Sequence, residues 1–176
     1  MNDCFFNIPE KLLHITKNDI LFLKNLLSLH EDEKQKVEGS SFYYKFFLKS
    51  LDIDYSSHII FKKIAKLFTL TNKHHSYKHV YECSQMAVLF GSIIPHYDMR
   101  SCCLSIPLTD SPYPCHFYDD NDNEIHTAKY IGASLINGWK KHGVPENKGI
   151  RNFFHVGGFG KDEQFLNVVE KINGLY

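Results

Sequence analysis

Three side chains that can bind a transition metal occur in order in the second half of the chain. His96 and Asp98 lie two residues apart, and His142 follows much later. Side chains two residues apart on an extended chain point to the same side, so His96 and Asp98 can face one point. Two histidines and one carboxylate form the facial set that leaves open positions on non-haem Fe(II). The sequence therefore predicts an iron site at His96, Asp98 and His142.

A guanidinium group follows the last of these residues. Arg151 opens an apolar run, and a guanidinium there can bind a carboxylate through two parallel hydrogen bonds. Alternation along a strand would place Arg151, Phe153 and His155 on one face. His155 could thus lie near a bound carboxylate, and the alternative is a core histidine with its hydrogen bonds satisfied.

The elements that must position these residues are short and rich in β-branched and aromatic side chains. Turn-forming residues separate them at positions 110–112, 119–123 and 157–158. Strands at this spacing are typical of a sandwich or a jelly-roll barrel. The predicted strands cover residues 80–83, 87–90, 102–108, 115–118, 125–130, 133–137 and 152–156.

The first part of the chain has a different pattern. Ile20, Leu23 and Leu26 recur at helical spacing, and a second helical face follows within residues 59–68. We therefore expect a single domain over the 176 residues, mostly β with a helical N-terminal half. It would consist of helical support (1–73), a jelly-roll catalytic core (78–157) and a closing helix (161–172).

The order His-x-Asp, then His, then Arg about ten residues later resembles the pattern of the Fe(II)/2-oxoglutarate-dependent dioxygenases. The short motifs around these residues are similar to those of the aspartyl/prolyl-hydroxylase-like branch. They fall within residues 80–157. They are His96-Tyr97-Asp98-Met99-Arg100, Ser105-Ile106-Pro107-Leu108, Leu135-Ile136-Asn137, His142-Gly143-Val144 and Arg151.

This resemblance implies a double-stranded β-helix, which is a jelly roll with supporting helices. It implies Fe(II) held by the two histidines and the aspartate, with 2-oxoglutarate and O2 as co-substrates of a hydroxylation. Arg151 would anchor the far carboxylate of 2-oxoglutarate. Ser105 and Asn137 could donate hydrogen bonds to the same co-substrate, and ordinary polar contacts at strand ends are the equal alternative.

Four other features near these motifs have a functional and a structural interpretation. Arg100 could meet a substrate carboxylate, or it could be a solvated loop arginine. Tyr97, between two proposed ligands, should point away from the metal. Trp139 could wall the substrate mouth, although a lone tryptophan is more often in the core. Residues 119–123 lack the spacing of a calcium loop and are expected to form a hairpin tip.

The composition restricts partners and location. Lys plus Arg (20) equals Asp plus Glu (20), so nothing indicates nucleic acid or an anionic membrane. The five cysteines form no CxxC pair, which favours a reducing, cytoplasmic compartment. A chain this short favours a small-molecule, amino-acid or peptide substrate, and its oligomeric state is left open. The alternatives are a cupin-like metalloenzyme without 2-oxoglutarate and a non-catalytic jelly-roll binding module.

Overall fold

The computed structural model describes residues 3–37, 43–69, 76–98, 103–110, 113–145, 149–157 and 162–174. The helices are α1 (Lys17–Leu29), α2 (Ile59–Thr69), α3 (Tyr77–Glu82) and α4 (Asp162–Asn173), with 3-10 turns at Glu31–Glu33 and Leu48–Ser50. The strands are β1 (Phe5–Asn7), β2 (Gln35–Lys36), β3 (Tyr43–Phe47), β4 (Ser84–Phe90), β5 (Ile93–His96), β6 (Cys103–Pro107), β7 (Cys115–Tyr118), β8 (Glu124–Ala128), β9 (Ser134–Ile136), β10 (His142–Val144) and β11 (Ile150–Val156).

The strands form two antiparallel sheets that pack against each other. The large sheet has seven described strands in the order β1-β9-β6-β11-β4-β3-β2, and the small sheet has four in the order β5-β10-β7-β8. Phe5 and Ile136 from the large sheet share a buried cluster with Phe117 and Ala128 from the small one. This mostly antiparallel architecture with a few helices confirms the predicted class and is consistent with a jelly roll.

The helices cover the outer face of the large sheet. On β11, Phe154 and Val156 point to that face and join the main core, while the alternate residues point between the sheets. Core residues from α2 and α4 pack there at helical spacing. They are Ile60, Ile64, Phe68, Phe165, Val168, Val169 and Ile172. Burial of each such side chain stabilises the fold by about 1.5–3 kcal/mol.

A buried carboxylate ties α1 to α2. The Thr16 hydroxyl accepts from the Asp19 N–H, and Asp19 accepts from the Thr16 N–H in return, which forms a capping box. Lys63 of α2 lies 2.5 Å from the same Asp19 carboxylate, which is 1% exposed. Burial acts to raise the pKa of Asp19, but Lys63 and Thr16 outweigh it and hold that pKa below its ordinary value. None of the helices in the described ranges combines the length and apolar character needed to cross a membrane.

One prediction about these elements was wrong, and the N-terminal part holds strands that the sequence did not indicate. Residues 80–82 form the end of α3 and Cys83 is its C-cap, so this segment is not a strand; the Ser76 side chain caps the start of the helix by accepting from the His79 N–H. The first 73 residues contain α1 and α2, and they also contain β1, β2 and β3 of the large sheet, which the sequence pattern did not predict. The closing helix was predicted from residue 161, and the described helix begins at Asp162.

Candidate metal centre

The three predicted ligands lie together at one end of the small sheet. Strands β5 and β10 are neighbours, and their register places His96 opposite His142 with ring centroids 4.7 Å apart. Asp98 follows β5, and its backbone N–H donates to the Gly138 carbonyl at 2.8 Å. Each histidine Nε2 lies 3.6 Å from an Asp98 carboxylate oxygen. The candidate ligand atoms all lie within 4.8 Å of one another, so one cation can reach all three.

Backbone carbonyls set the tautomer of both imidazoles. His96 Nδ1 lies 2.9 Å from the Ile94 carbonyl oxygen, and His142 Nδ1 lies 2.8 Å from that of Lys140. Because a carbonyl oxygen only accepts, each Nδ1 must carry the hydrogen. In the neutral ring each Nε2 then has a free lone pair, directed at the Asp98 side of the site. This is the orientation that protein partners impose on metal-binding histidines, and the side chains present therefore fit Fe(II).

The charges of the three residues are coupled. Partial burial acts to raise the pKa of Asp98, but His142 and His96 outweigh it and hold that pKa well below its ordinary value. The Asp98 carboxylate in turn raises the pKa of His96, against the lowering effect of burial. A carboxylate anion is therefore kept between two imidazoles, which is the charge that a divalent cation would neutralise.

Gly143 allows the two ligand strands to approach. A Cβ built there would lie 2.8 Å from the Ile93 carbonyl oxygen and 3.0 Å from the Pro95 nitrogen. Both are backbone atoms of β5, so neither can move without shifting that strand. The register between β10 and β5 is also irregular at this point. Gly143 thus positions β10 against the strand that carries His96.

Replacing Gly143 with alanine should weaken metal binding through this contact. The added methyl group would push β5 away from β10 and separate His96 from His142. Overpacking of this kind typically costs about 1–3 kcal/mol, and we expect a roughly tenfold lower affinity for Fe(II). Calorimetric titration with Fe(II) under argon measures this, with Gly132→Ala as control because a Cβ there meets nothing within 4 Å. Equal affinities of the two variants would show that the contact is unimportant.

A cavity of about 130 Å³ between the two sheets includes all three ligands. Arg151 also lines it and is only 4% exposed. Its guanidinium carbon lies 4.9 Å from the centre of the Phe153 ring and 5.8 Å from that of Tyr130. Arg151 Nε is buried without a hydrogen-bond partner, and no acidic residue in the described ranges forms an ion pair with Arg151. Burial raises the pKa of Tyr130, so its hydroxyl stays neutral beside Arg151.

Ser105 and Asn137, the two residues predicted to contact 2-oxoglutarate, differ in whether they line the cavity. Ser105 is fully buried, lines the cavity and lies 2.6 Å from His155 Nδ1. Asn137 does not line the cavity: its amide donates to the Asp3 carbonyl and its oxygen accepts from the Trp139 N–H. The structure thus gives Asn137 contacts within the protein, and its contact with 2-oxoglutarate stays a prediction.

The remaining predicted residues lie around the site. Tyr97 is not among the cavity-lining residues, and its hydroxyl donates to Asp120 at 2.7 Å, as expected for a side chain that points away. Trp139 is 40% exposed and does not line the cavity either. Arg100 lies outside the described residues. Residues 119–123 join β7 to β8, with Asp119 accepting from two backbone N–H groups, which confirms the hairpin tip.

Sequence reasoning missed several cavity residues. Gln85 lies on β4, where Ala87 and Leu89 line the cavity at the same alternation. The sequence signal for Gln85 was its place at the same alternation as Ala87 and Leu89, which puts all three on one face of the strand. Tyr130 carried no comparable signal, because it follows the end of β8 and reaches the cavity only through the packing of the two sheets.

Comparison with known proteins shows the fold. No protein-family model and no curated sequence matches the chain. A structure of the epimerase SnoN with Fe3+, alpha ketoglutarate and nogalamycin RO is similar at a TM-score of 0.54 and 11% identity, covering 88% of this chain and 78% of that one. A Trichoplax adhaerens prolyl hydroxylase in complex with a hypoxia inducible factor peptide has a TM-score of 0.53 and 12% identity, covering 94% and 86%. A Pseudomonas putida prolyl-4-hydroxylase has a TM-score of 0.51 and 10% identity, covering 85% and 87%.

The chain therefore has the fold of the Fe(II)/2-oxoglutarate-dependent oxygenases. This confirms the predicted fold at the level of that group of enzymes. At 10–12% identity this likeness is one of fold.

Proposed function

We propose that this protein is a non-haem Fe(II) dioxygenase that couples decarboxylation of 2-oxoglutarate to hydroxylation of a substrate. The observation that carries the proposal is the content of one cavity. It holds three ligand atoms within 4.8 Å of one another and a buried arginine without an acidic partner among the described residues. The aspartyl/prolyl-hydroxylase-like branch is the branch that we propose on the sequence motifs.

The metal site would take Fe(II) at His96 Nε2, His142 Nε2 and one Asp98 oxygen. The bound iron, 2-oxoglutarate and O2 would supply the oxidising chemistry, which side chains alone do not have. In the neutral rings the carbonyls at Nδ1 leave both Nε2 atoms free of hydrogen, and the two imidazoles keep Asp98 ionised. Three ligands leave the remaining positions for co-substrate and oxygen.

Arg151 supplies the second anchor. A buried guanidinium is unfavourable unless an anion accompanies it. Tyr130 and Phe153 contact it through their rings, and neither carries a negative charge. A ligand with a carboxylate at each end can bind the metal through one end and supply Arg151 with its anion through the other. A cavity of about 130 Å³ suits such a small ligand better than a drug-sized one.

The substrate class is proposed more broadly. Among the similar structures, SnoN is in complex with nogalamycin RO and the Trichoplax enzyme with a peptide. We therefore propose a small molecule, an amino acid or a peptide side chain that reaches the metal from the cavity mouth.

The test is conversion of 2-oxoglutarate to succinate by the purified protein with Fe(II) and O2. We expect succinate from the wild-type chain and none from His142→Ala, and candidate substrates should gain the mass of one oxygen atom. Iron binding without any binding of 2-oxoglutarate would instead favour the cupin-like metalloenzyme. A protein that binds neither would favour the non-catalytic binding module.

A further inference from the structure

The cavity contains polar groups that this proposed function does not use. Ser105 on β6 and His155 on β11 are paired across the sheet, with Ser105 Oγ 2.6 Å from His155 Nδ1. Gln85 lies opposite His155 on β4, and its Oε1 is buried without a hydrogen-bond partner. All three line the cavity. Three adjacent strands thus present a row of uncharged polar side chains.

Ser105 fixes which ring nitrogen of His155 carries the hydrogen. The Ser105 hydroxyl is fully buried, and within the described residues its one hydrogen-bond partner is His155 Nδ1. If Nδ1 donated instead, the buried hydroxyl hydrogen would have no acceptor, which costs about 1–3 kcal/mol. The hydroxyl therefore donates to Nδ1, and the ring hydrogen is on Nε2. In the described residues that Nε2–H has no acceptor, and the ring borders the cavity.

The His155 imidazole is neutral. Burial lowers the pKa of His155 to about 4, and Arg151 acts in the same direction while Asp98 opposes it. One edge of the ring is accessible from the cavity although protein surrounds the rest. His155 thus offers a single uncharged donor and does not compete with Arg151 for a counter-ion.

His155 is on the metal side of Arg151. Strands β9 and β11 are both antiparallel to β6, so they run in the same direction. After β9 the chain reaches Gly138, whose carbonyl accepts from the Asp98 N–H. Moving along β11 from Arg151 to His155 therefore leads toward the end of the sheet beside Asp98.

The separation of the two residues allows one ligand to reach both. The Phe153 ring lies 4.9 Å from the Arg151 guanidinium carbon and 5.3 Å from the His155 ring centre. The guanidinium and the imidazole are therefore no more than about 10 Å apart. A five-carbon chain with bonds of about 1.5 Å is roughly 5 Å long, and a hydrogen bond of about 3 Å at each end extends its reach to ~11 Å.

We propose that His155 Nε2–H donates a hydrogen bond to the metal-side carboxylate of 2-oxoglutarate. Arg151 and His155, which flank Phe153 on β11, then contact the two ends of the same keto diacid. This inference rests on the proposed function and assigns the metal-side contact of its co-substrate. Ser105 is a positioning residue that acts through His155.

The test measures binding and needs no turnover. The Fe(II)-loaded protein is titrated calorimetrically under argon with 2-oxoglutarate. We expect His155→Ala to weaken 2-oxoglutarate binding roughly tenfold to hundredfold, as for a hydrogen bond to a charged group. His155→Gln, which keeps a donor, should recover part of the affinity.

Ser105→Ala tests the positioning role. It should weaken 2-oxoglutarate binding by a smaller factor than His155→Ala does. The control is Ser134→Ala, which removes another fully buried serine, paired with Ser105 on β9, that does not line the cavity. Nitrogen-15 NMR of the wild-type imidazoles adds a readout independent of folding. It should show His155 neutral and protonated on Nε2 at neutral pH, and Ser105→Ala should alter that tautomer.

Each failure has a separate meaning. A neutral His155 protonated on Nδ1 would overturn the inference whatever the affinities are. Unchanged affinity in His155→Ala, with binding still dependent on Arg151, would overturn it and leave the proposed function standing. A wild-type protein that binds Fe(II) but not 2-oxoglutarate would overturn both.

Discussion

Replacing His142 with alanine is expected to abolish tight Fe(II) binding and all 2-oxoglutarate turnover. His142 supplies one of three ligand atoms and is among the two imidazoles that keep Asp98 ionised. Residues that only orient metal ligands already change affinity by about 10–100-fold when removed. Loss of a ligand itself should therefore weaken Fe(II) by at least roughly 100-fold. His96→Ala should behave in the same way, because its Nε2 has the equivalent position on the other side of Asp98.

The fold should survive these substitutions, which separates them from a general loss of structure. His142 is in the short strand β10, and its neighbours β5 and β7 bind it through backbone groups that alanine keeps. A matched control is His116→Ala on β7, whose ring pairs with Glu124 at 2.7 Å and is not part of the cavity. Metal content after dialysis should show normal iron binding only in the control. Circular dichroism should show an intact fold in both variants. Full iron content in His142→Ala would remove His142 from the ligand set.

The candidate site was largely predictable because its residues are chemically distinctive and occur in order. A histidine and a carboxylate at alternate positions remain on one side of an extended chain wherever that chain is placed. The sequence could not show the carbonyls of Ile94 and Lys140 that set the tautomers, because each depends on the local turn of the backbone. The sequence likewise shows Gly143 only as the neighbour of His142, and its close approach to the backbone of β5 depends on the fold.

The two polar strand residues show the limit of such reasoning. Ser105 and Asn137 had the same status in the sequence, since each is a polar residue in an apolar run. Ser105 faces the cavity because the register of β6 pairs it with His155. Asn137 follows the end of β9, and its side chain binds Asp3 in the N-terminal segment instead. Register and long-range pairing decide between these outcomes, and neither is encoded in a local pattern.

The N-terminal strands were missed for a related physical reason. Strand β1 has only three residues and pairs with β9, which is more than a hundred positions away in the sequence. Strand β3 alternates weakly, because Phe46 is buried while Tyr43, Tyr44, Lys45 and Phe47 are all half-buried. Local propensity carries little information about such strands, which form because an existing sheet edge is available to them.

Arg151→Lys should weaken 2-oxoglutarate binding while leaving Fe(II) binding unchanged. Lysine keeps the charge but loses the planar fork that binds a carboxylate through two hydrogen bonds. A charge-assisted contact of this kind is typically worth about 1.5–3 kcal/mol, which corresponds to a roughly tenfold to hundredfold higher Kd. Calorimetric titration of the Fe(II)-loaded variant with 2-oxoglutarate under argon measures it.

Arg151→Met tests whether Arg151 binds a ligand or only stabilises the fold. The two roles predict opposite changes in the stability of the ligand-free protein. In the absence of ligand, the wild-type protein buries a guanidinium that has no acidic partner among the described residues, and methionine removes that charge while filling similar space. The ligand-free variant should therefore melt no lower than the wild-type protein. With 2-oxoglutarate at about 100 times the wild-type Kd, binding stabilises the wild-type protein by ~2.7 kcal/mol, or roughly 5–10 °C in Tm for a chain of this size.

That rise in Tm should be absent from Arg151→Met, although both proteins contain Fe(II). A structural arginine would give the opposite pattern, because loss of its contacts with the Phe153 and Tyr130 rings would lower the ligand-free Tm and leave the ligand-induced rise intact. Differential scanning calorimetry of both proteins, with and without 2-oxoglutarate under argon, distinguishes the two patterns without any knowledge of the substrate. A lower ligand-free Tm together with a normal ligand-induced rise would place the carboxylate anchor elsewhere in the cavity.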